Sequence, residues 1–211
     1  MSWLSKDRWL RLWRAAGAAG DAENWYQPLT QAYAESGRHY HNQQHIAECL
    51  AEFDAANHLA RNPEAVEFAL WFHDAVYNSK AGDNEEQSAV MAKNCLLGAK
   101  LPEFAETVAT LVMATKFHNT DGAPDAGLVV DVDLSILGQN QARFAEYESQ
   151  IRQEYLWVPE ALFNAKRAEI LQGFLERKRI YTNDHFLNRY EQSARRNIAE
   201  SIRKLTANGH S

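Results

Sequence analysis

Apolar residues recur at helical spacing along almost the whole chain. Ile46, Cys49, Leu50 and Phe53, for example, follow the i, i+3, i+4, i+7 pattern of a helix with one buried face. Prolines stand where several such patterns begin, as they do at the first position of many helices. The pattern predicts helices over residues 3–17, 22–36, 85–97, 102–118, 140–156, 159–178 and 184–205, and two more that are opened by Asn42 and Pro63.

The stretch from Gly127 to Gly138 alternates polar and apolar residues, and this periodicity alone would suit a strand. A single strand in a helical chain has no partner for its backbone groups, so we predict a short helix. The expected fold is all-α: one helical bundle domain over 1–211 with about nine or ten helices. Within it we expect N-terminal helices at 1–36, a core at 38–138 and C-terminal helices at 140–206.

Composition excludes several classes of partner. The net charge of −6 gives no reason to expect nucleic acid or an anionic membrane as a main partner. No run approaches the ~18 apolar residues of a membrane span, and the charged N-terminus contains no signal core, so we expect a cytoplasmic protein. Cys49 and Cys95 lie inside helical patterns and suit neither a disulfide framework nor a zinc-thiolate site.

One segment, residues 68–77, is apolar all round except for His73 and Asp74. A helix that is apolar on every face belongs in the centre of a bundle. An unpaired carboxylate there costs several kcal/mol, so Asp74 needs a cationic partner. A metal ion is one such partner; a hydrogen-bonded pair of His73 and Asp74 is the alternative without metal.

Further metal-binding side chains occur on other predicted helices. His45 lies in the first turn of its helix beside the apolar stripe, and an aspartate of the Asp131/Asp133 pair lies in the 127–138 helix. Residues two apart on a helix point roughly 200° apart, so only one of the two aspartates can face a given ion. Two imidazoles and two carboxylates without a thiolate suit a borderline or hard divalent ion that keeps positions open for water.

The order His45, His73-Asp74, Asp133 resembles that of the HD-domain superfamily of metal-dependent phosphohydrolases. From about Trp25 to Arg203 the chain is similar to a group of small bacterial predicted metal-dependent phosphohydrolases within it. The resembling segments are Arg38-His-Tyr-His-Asn-Gln-Gln-His-Ile46, Trp71-Phe-His-Asp-Ala-Val-Tyr77, Asn84-Glu-Glu-Gln-Ser-Ala89, Asp131-Val-Asp-Leu-Ser-Ile-Leu-Gly138, Arg152-Gln-Glu-Tyr155 and Glu191-Gln-Ser-Ala-Arg-Arg-Asn197. The resemblance implies an HD-type bundle whose ligands are His45, His73, Asp74 and Asp133.

A more local resemblance links residues 40–45 to the cyclic-nucleotide phosphodiesterases, which share the HD core. It implies that His41 protonates the leaving oxygen and that His45 binds metal. The same comparison aligns Asp133-Leu-Ser135 with the phosphodiesterase Asp-Leu-Ser motif and favours Asp133 over Asp131. The second histidine that phosphodiesterases carry after their His-Asp pair is missing here, which speaks against a cyclic-nucleotide substrate.

Five more residues are candidates for the reaction, each with a simpler structural explanation. Family resemblance suggests that Glu85 or Glu86 approaches a metal-bound water, although acids are favoured at any helix N-terminus. His118, Lys116 and Lys80 are candidate substrate contacts. A histidine is also favoured at a helix C-terminus, and exposed lysines are usually only solvated.

The family resemblance implies a hydrolase that uses a divalent ion (Mn, Mg, Co, Ni, Zn or Fe) and metal-activated water on a small phosphate ester, a nucleotide being the leading expectation. Two alternatives remain. One is an HD module that binds metal and nucleotide without turnover. The other is a di-iron HD-type oxygenase, for which His118 is the spare histidine. We expect the aromatic N-terminal helix to pack onto the core; its alternative role is the interface of a homo-oligomer, which the sequence leaves open.

Overall fold

The computed structural model describes residues 3–118, 120 and 122–207, and every regular element in these residues is a helix. The predicted all-α class with about nine or ten helices is therefore confirmed. The α-helices are α1 Lys6–Ala15, α2 Glu23–Ala32, α3 Gln43–Ala56, α4 Pro63–Phe72, α5 Asn84–Gly98, α6 Pro102–Phe117, α7 Pro124–Asp133, α8 Gln141–Glu154, α9 Glu160–Glu176 and α10 Asp184–Ala207. Short 3₁₀ segments occupy Asn57–Leu59 and Leu134–Gly138.

The chain forms two compact units, Met1–Asp133 and Leu134–Ser211. The boundary falls directly after α7, a few residues before the predicted border between the core and the C-terminal helices. All residues predicted to bind metal or substrate belong to the first unit. The single domain expected over residues 1–211 stays a prediction.

Helix α4 is the centre of the first unit, where it contacts α1, α3, α5, α6 and α7. Phe68, Leu70, Trp71 and Phe72 are all fully buried, as expected for a helix that is apolar on every face. Its start follows the predicted signals, because Pro63 occupies the first turn and the Asn62 side chain accepts a hydrogen bond from the backbone N–H of Ala65.

The N-terminal helix packs onto this unit through its aromatic face. Trp9 is fully buried, its ring lies 5.3 Å from that of Trp71, and its indole N–H donates to the carbonyl of Ala22. Arg8 adds charged contacts to Asp54 on α3 and Glu67 on α4. The aromatic face of this helix thus packs inside the unit, and the homo-oligomer stays an open alternative. No helix among the described residues is long and apolar enough to span a membrane.

The 127–138 stretch is helical, as predicted, but its helix begins earlier, at Pro124. Asp125, the residue after Pro124, connects the N-terminus of α7 to the N-terminus of α4. The carboxylate of Asp125 accepts hydrogen bonds from the backbone N–H groups of Arg61 and Asn62, at 2.7 and 3.0 Å. Helix α7 then ends at Asp133, and a 3₁₀ turn replaces the last predicted residues of this helix.

In the second unit, α10 holds the 3₁₀ segment Leu134–Gly138 through side-chain contacts. Ser193 donates to the carbonyl of Gly138, and Asn197 donates to those of Leu137 and Gln139. Gly138 is required by this packing, because a Cβ there would lie 2.4 Å from the Cβ of Tyr190. The resembling segment 191–197 therefore has a structural role in this unit.

Candidate metal centre

Helix α3 presents His45 from its first turn. The Asn42 side chain caps this helix and accepts from the backbone N–H groups of Gln44 and His45, as the sequence predicts. The apolar stripe that begins with Ile46 packs into the core. Because His45 lies beside this stripe, its imidazole is buried as well. His45 is consequently only 2% exposed.

His73 is the C-terminal cap of α4, directly after its last residue Phe72, and the ring of His73 is oriented by this helix. Its Nδ1 lies 2.9 Å from the carbonyl oxygen of Leu70. A carbonyl can only accept, so Nδ1 carries the proton, and in the neutral ring Nε2 is left with a lone pair. This is the arrangement in which metal-binding histidines are usually held.

The chain leaving α4 is fixed by Arg38. Its guanidinium donates to the carbonyls of Asp74 and Ala75 at 2.5 and 2.8 Å, and also to the carbonyl of His41 at 3.3 Å. One buried cation therefore joins the segment before α3 to the segment after α4. Nothing in the predicted ligand order indicated this role for Arg38.

Asp133, the last residue of α7, completes the group. Its Oδ1 lies 3.3 Å from the Nε2 of His45 and 3.6 Å from that of His73. Asp131 is fully buried on the same helix and does not belong to the metal-ligating cluster found among the described residues. The structure thus places Asp133 at the imidazoles, and its role as a ligand stays a prediction.

The donor atoms of the four predicted ligands lie close together. The Nε2 atoms of His45 and His73 are 3.0 Å apart, and Asp74 Oδ2 lies 3.3 and 3.1 Å from them. With Asp133 Oδ1 included, the distances from the imidazole nitrogens to each other and to the carboxylate oxygens run from 3.0 to 3.6 Å. A divalent ion lies about 2.0–2.2 Å from nitrogen and oxygen ligands, which puts neighbouring donors about 2.9–3.5 Å apart. The measured distances between the imidazole nitrogens and the carboxylate oxygens are therefore compatible with binding of one ion.

The electrostatics of this group favour a positive charge at its centre. Burial by itself lowers the pKa of His45 and His73, but the acidic groups around them raise the pKa of both imidazoles well above the ordinary value. Burial conversely raises the pKa of Asp74 and Asp133, yet the surrounding imidazoles hold both well below the usual range. Without metal, protons on the imidazoles must supply the charge that an ion would bring.

A thiol that the predicted ligand set does not include lies in the same cluster. Cys49 follows His45 by one helical turn, and its Sγ lies 3.7 and 3.8 Å from the two ring nitrogens of His45. Donor atoms of His45, Cys49, His73 and Asp133 all lie within 4.8 Å of one another. This buried cluster can hold a metal ion. The i, i+4 spacing from His45 was the sequence signal for Cys49.

Two further predicted residues lie next to the group. His118 Nε2 is 3.5 Å from the outer oxygen of Asp133, Oδ2, and its backbone is left-handed with φ 49°. A non-glycine residue in this region is uncommon and often marks a functional position. His41 stacks on Tyr77 with ring centroids 4.1 Å apart, and its ring lies 6.1 Å from that of His45.

The remaining candidates are placed differently. Glu86 on α5 forms an ion pair with Lys116 on α6, which also donates to the carbonyl of Gly82. The Glu86 side chain is 43% exposed, yet among the described residues its Oε2 is a buried oxygen without a hydrogen-bond donor. Glu85 is half-buried in the first turn of α5, and Lys80 is exposed in the preceding loop. Of these candidates, the structure thus brings Glu86 and Lys116 into contact with each other.

Comparison of the chain with protein-family models, with curated proteins and with solved structures found no match. The resemblance to the HD superfamily accordingly stays an expectation from the sequence, and the chemistry of the centre is argued from its own residues.

Proposed function

We propose that the protein is a metal-dependent phosphohydrolase that acts on a small phosphate ester, with nucleotides as the leading substrate class. The observation that supports this most directly is the convergence of two imidazole nitrogens and two carboxylate oxygens at 3.0–3.6 Å from one another. Such a donor set leaves coordination positions for water and substrate, unlike a closed structural zinc site.

In this proposal His45, His73, Asp74 and Asp133 hold one divalent ion. When bound, the ion supplies charge neutralisation for phosphoryl oxygens and a bound water whose pKa is lowered towards neutrality. The protein's own contribution is position and rigidity. Arg38 fixes the backbone on both sides of the centre, and Leu70 fixes the ring of His73, so the donors are already arranged before substrate arrives.

We assign proton movement to His41, whose ring lies 6.1 Å from that of His45, and to Glu86. His41 donates its proton to the leaving oxygen as the bond from phosphorus to that oxygen breaks. Its stacking on Tyr77 holds the ring in place. Glu86 offers the buried Oε2 to a hydrogen of the attacking water. Lys116 is held beside Glu86 by their ion pair and binds a phosphoryl oxygen of the substrate. His118, which lies 3.5 Å from Asp133, is the second substrate contact.

The test uses purified, chelator-treated protein with Mn²⁺, Mg²⁺, Co²⁺ or Ni²⁺ against a panel of phosphate esters. We expect hydrolysis that needs added metal and is lost in His73→Ala. His58→Ala, which changes an exposed histidine in the 3₁₀ segment after α3, is the matched control and should keep full activity. Hydrolysis that survives both chelation and His73→Ala would show that the activity does not come from this centre.

A second candidate is a module that binds metal and nucleotide without turnover. The ion pair of Glu86 with Lys116 favours it, because this pair engages the carboxylate that the hydrolase needs as the acceptor of a proton from the attacking water. Binding of an intact nucleotide that is still unchanged after prolonged incubation with metal would support the module and contradict the hydrolase.

A further inference from the structure

The thiol of Cys49 is the one metal-binding group of the centre that the proposed hydrolase does not use. It is 2% exposed and lies one turn after His45 on α3. It is not a lone cysteine, because one ring nitrogen of His45, one of His73 and a carboxylate oxygen of Asp133 lie within 4.8 Å of its sulfur. The two imidazoles are themselves buried, at 2% and 1% exposure, so this sulfur belongs to an existing group of buried donors.

The distance from the sulfur suits direct coordination. Zinc lies about 2.3 Å from a thiolate sulfur and about 2.0–2.1 Å from an imidazole nitrogen, so sulfur and nitrogen on one tetrahedral ion are about 3.6 Å apart. The observed distance from Cys49 Sγ to His45 Nε2 is 3.8 Å. The sulfur is also 3.7 Å from Nδ1, so it lies beside the imidazole ring. It reaches an ion bound at Nε2 by rotation of the Cys49 side chain about its Cα–Cβ bond.

Two donor sets consequently share three residues. His45, His73 and Asp133 are common to both, and the fourth donor is either Asp74 or Cys49. The set with Asp74 contains only nitrogen and oxygen and suits hard or borderline ions. The set with Cys49 includes a soft sulfur, which zinc and cobalt accept and magnesium does not.

We propose that Cys49 is a metal ligand of this centre and that, with His45, His73 and Asp133, it forms a second coordination mode that selects thiophilic divalent ions such as zinc and cobalt. The inference rests on the metal centre of the proposed function. On binding, the Cys49 thiol loses its proton to solvent and the sulfur forms a bond to the ion, with no change of oxidation state. The centre then discriminates between metals by its choice of fourth ligand.

The chain offers a simple spectroscopic test because it contains only two cysteines. Cobalt(II) is added to chelator-treated protein, and the near-ultraviolet band for charge transfer from sulfur to cobalt is recorded together with the number of ions bound. Cys95→Ser is the matched control: Cys95 is also fully buried, on α5, and does not belong to the cluster. We expect the band in the wild type and in Cys95→Ser, and its loss in Cys49→Ser with cobalt still bound.

Affinities measured by competition with a chelating dye provide the second readout. In Cys49→Ser, zinc affinity should fall by about tenfold or more, whereas magnesium affinity should change by less than about twofold. The Cys95→Ser spectrum is decisive even if Cys49→Ser does not fold, since Cys49 is then the only sulfur of a cysteine left.

The outcomes separate this inference from the proposed function. One bound cobalt without the sulfur band in the wild type overturns the role of Cys49 and leaves the hydrolase standing. The band together with inactivity on every phosphate ester supports Cys49 and contradicts the hydrolase. If neither cobalt nor zinc binds at all, the metal centre itself is refuted, and both proposals fall with it.

Discussion

Asp133 and Asp131 offer a matched test of the metal centre, because both are aspartates of α7 and lie two residues apart. Asp133 faces the imidazoles at 3.3 and 3.6 Å, whereas Asp131 is fully buried and outside the metal-ligating cluster. Replacing each with asparagine keeps the size of the side chain and removes its charge. We expect Asp133→Asn to abolish the stabilisation by metal and Asp131→Asn to keep it.

The size of the effect follows from linkage. At a free metal concentration of about 100 times Kd, an ion that binds only the folded protein stabilises it by about 2.7 kcal/mol. For a chain of 211 residues, about 1 kcal/mol shifts Tm by about 2–4 °C, so the expected rise is about 5–11 °C. Removing one member of a buried ion pair costs about 3–5 kcal/mol, which weakens metal binding by two orders of magnitude or more. The rise in Asp133→Asn is then below about 2 °C.

The assay is thermal unfolding of chelator-treated protein across a titration with Mn²⁺ or Zn²⁺. The quantity compared is the rise in Tm caused by metal, so a change that Asp131→Asn makes in the stability of the metal-free protein does not enter. Equal rises in Asp133→Asn and wild type would refute Asp133 as a ligand. A rise lost only in Asp131→Asn would mean that the other face of α7 points to the ion.

Three other predictions concern pH, a buried cation and a close backbone approach. First, in metal-free protein the raised pKa values of His45 and His73 add stability that is fully present below the ordinary histidine pKa and is lost as pH rises through the folded value. Metal must displace these protons, so metal affinity should rise over the same pH range; urea unfolding with and without metal measures both trends. Second, Arg38→Met should destabilise the fold by about 2–5 kcal/mol in urea unfolding, since three backbone carbonyls lose a buried cationic donor; an unchanged midpoint would contradict this. Third, Gly138→Ala should cost about 1–3 kcal/mol, because its Cβ would lie 2.4 Å from the Cβ of Tyr190; Gly173→Ala, in a helix with open space around that position, should be neutral or stabilising.

Much of the candidate metal site follows from local sequence pattern. The run around Phe68 to Phe72 is apolar on every face, which already requires a buried helix, and a carboxylate at its end requires a cation. Helix geometry also shows that only one of Asp131 and Asp133 can face the ion, but the preference for Asp133 came from the family resemblance. The caps of α3 and α4 at Asn42 and Asn62 follow from hydrogen bonding within a few residues.

Other features depend on contacts between residues that are distant in the chain, which helical periodicity does not encode. Arg38 meets the carbonyls of Asp74 and Ala75 only once α3 and α4 have packed, and Glu86 meets Lys116 only once α5 lies against α6. In the sequence, the position of Cys49 in the apolar stripe of its helix is explained equally well by an ordinary core cysteine and by a metal-binding cysteine. Only the position of α3 against the ends of α4 and α7 makes its sulfur a neighbour of the ligands.

The sequence by itself therefore determined the helical class, the buried helix and the need of Asp74 for a cationic partner, because these follow from spacing and from the cost of burying charge. The tertiary structure decided which donors meet, at what distances, and that a thiol is among them. The physical reason is that ligand geometry depends on how separate helices pack, and side chains from all over the chain determine that packing.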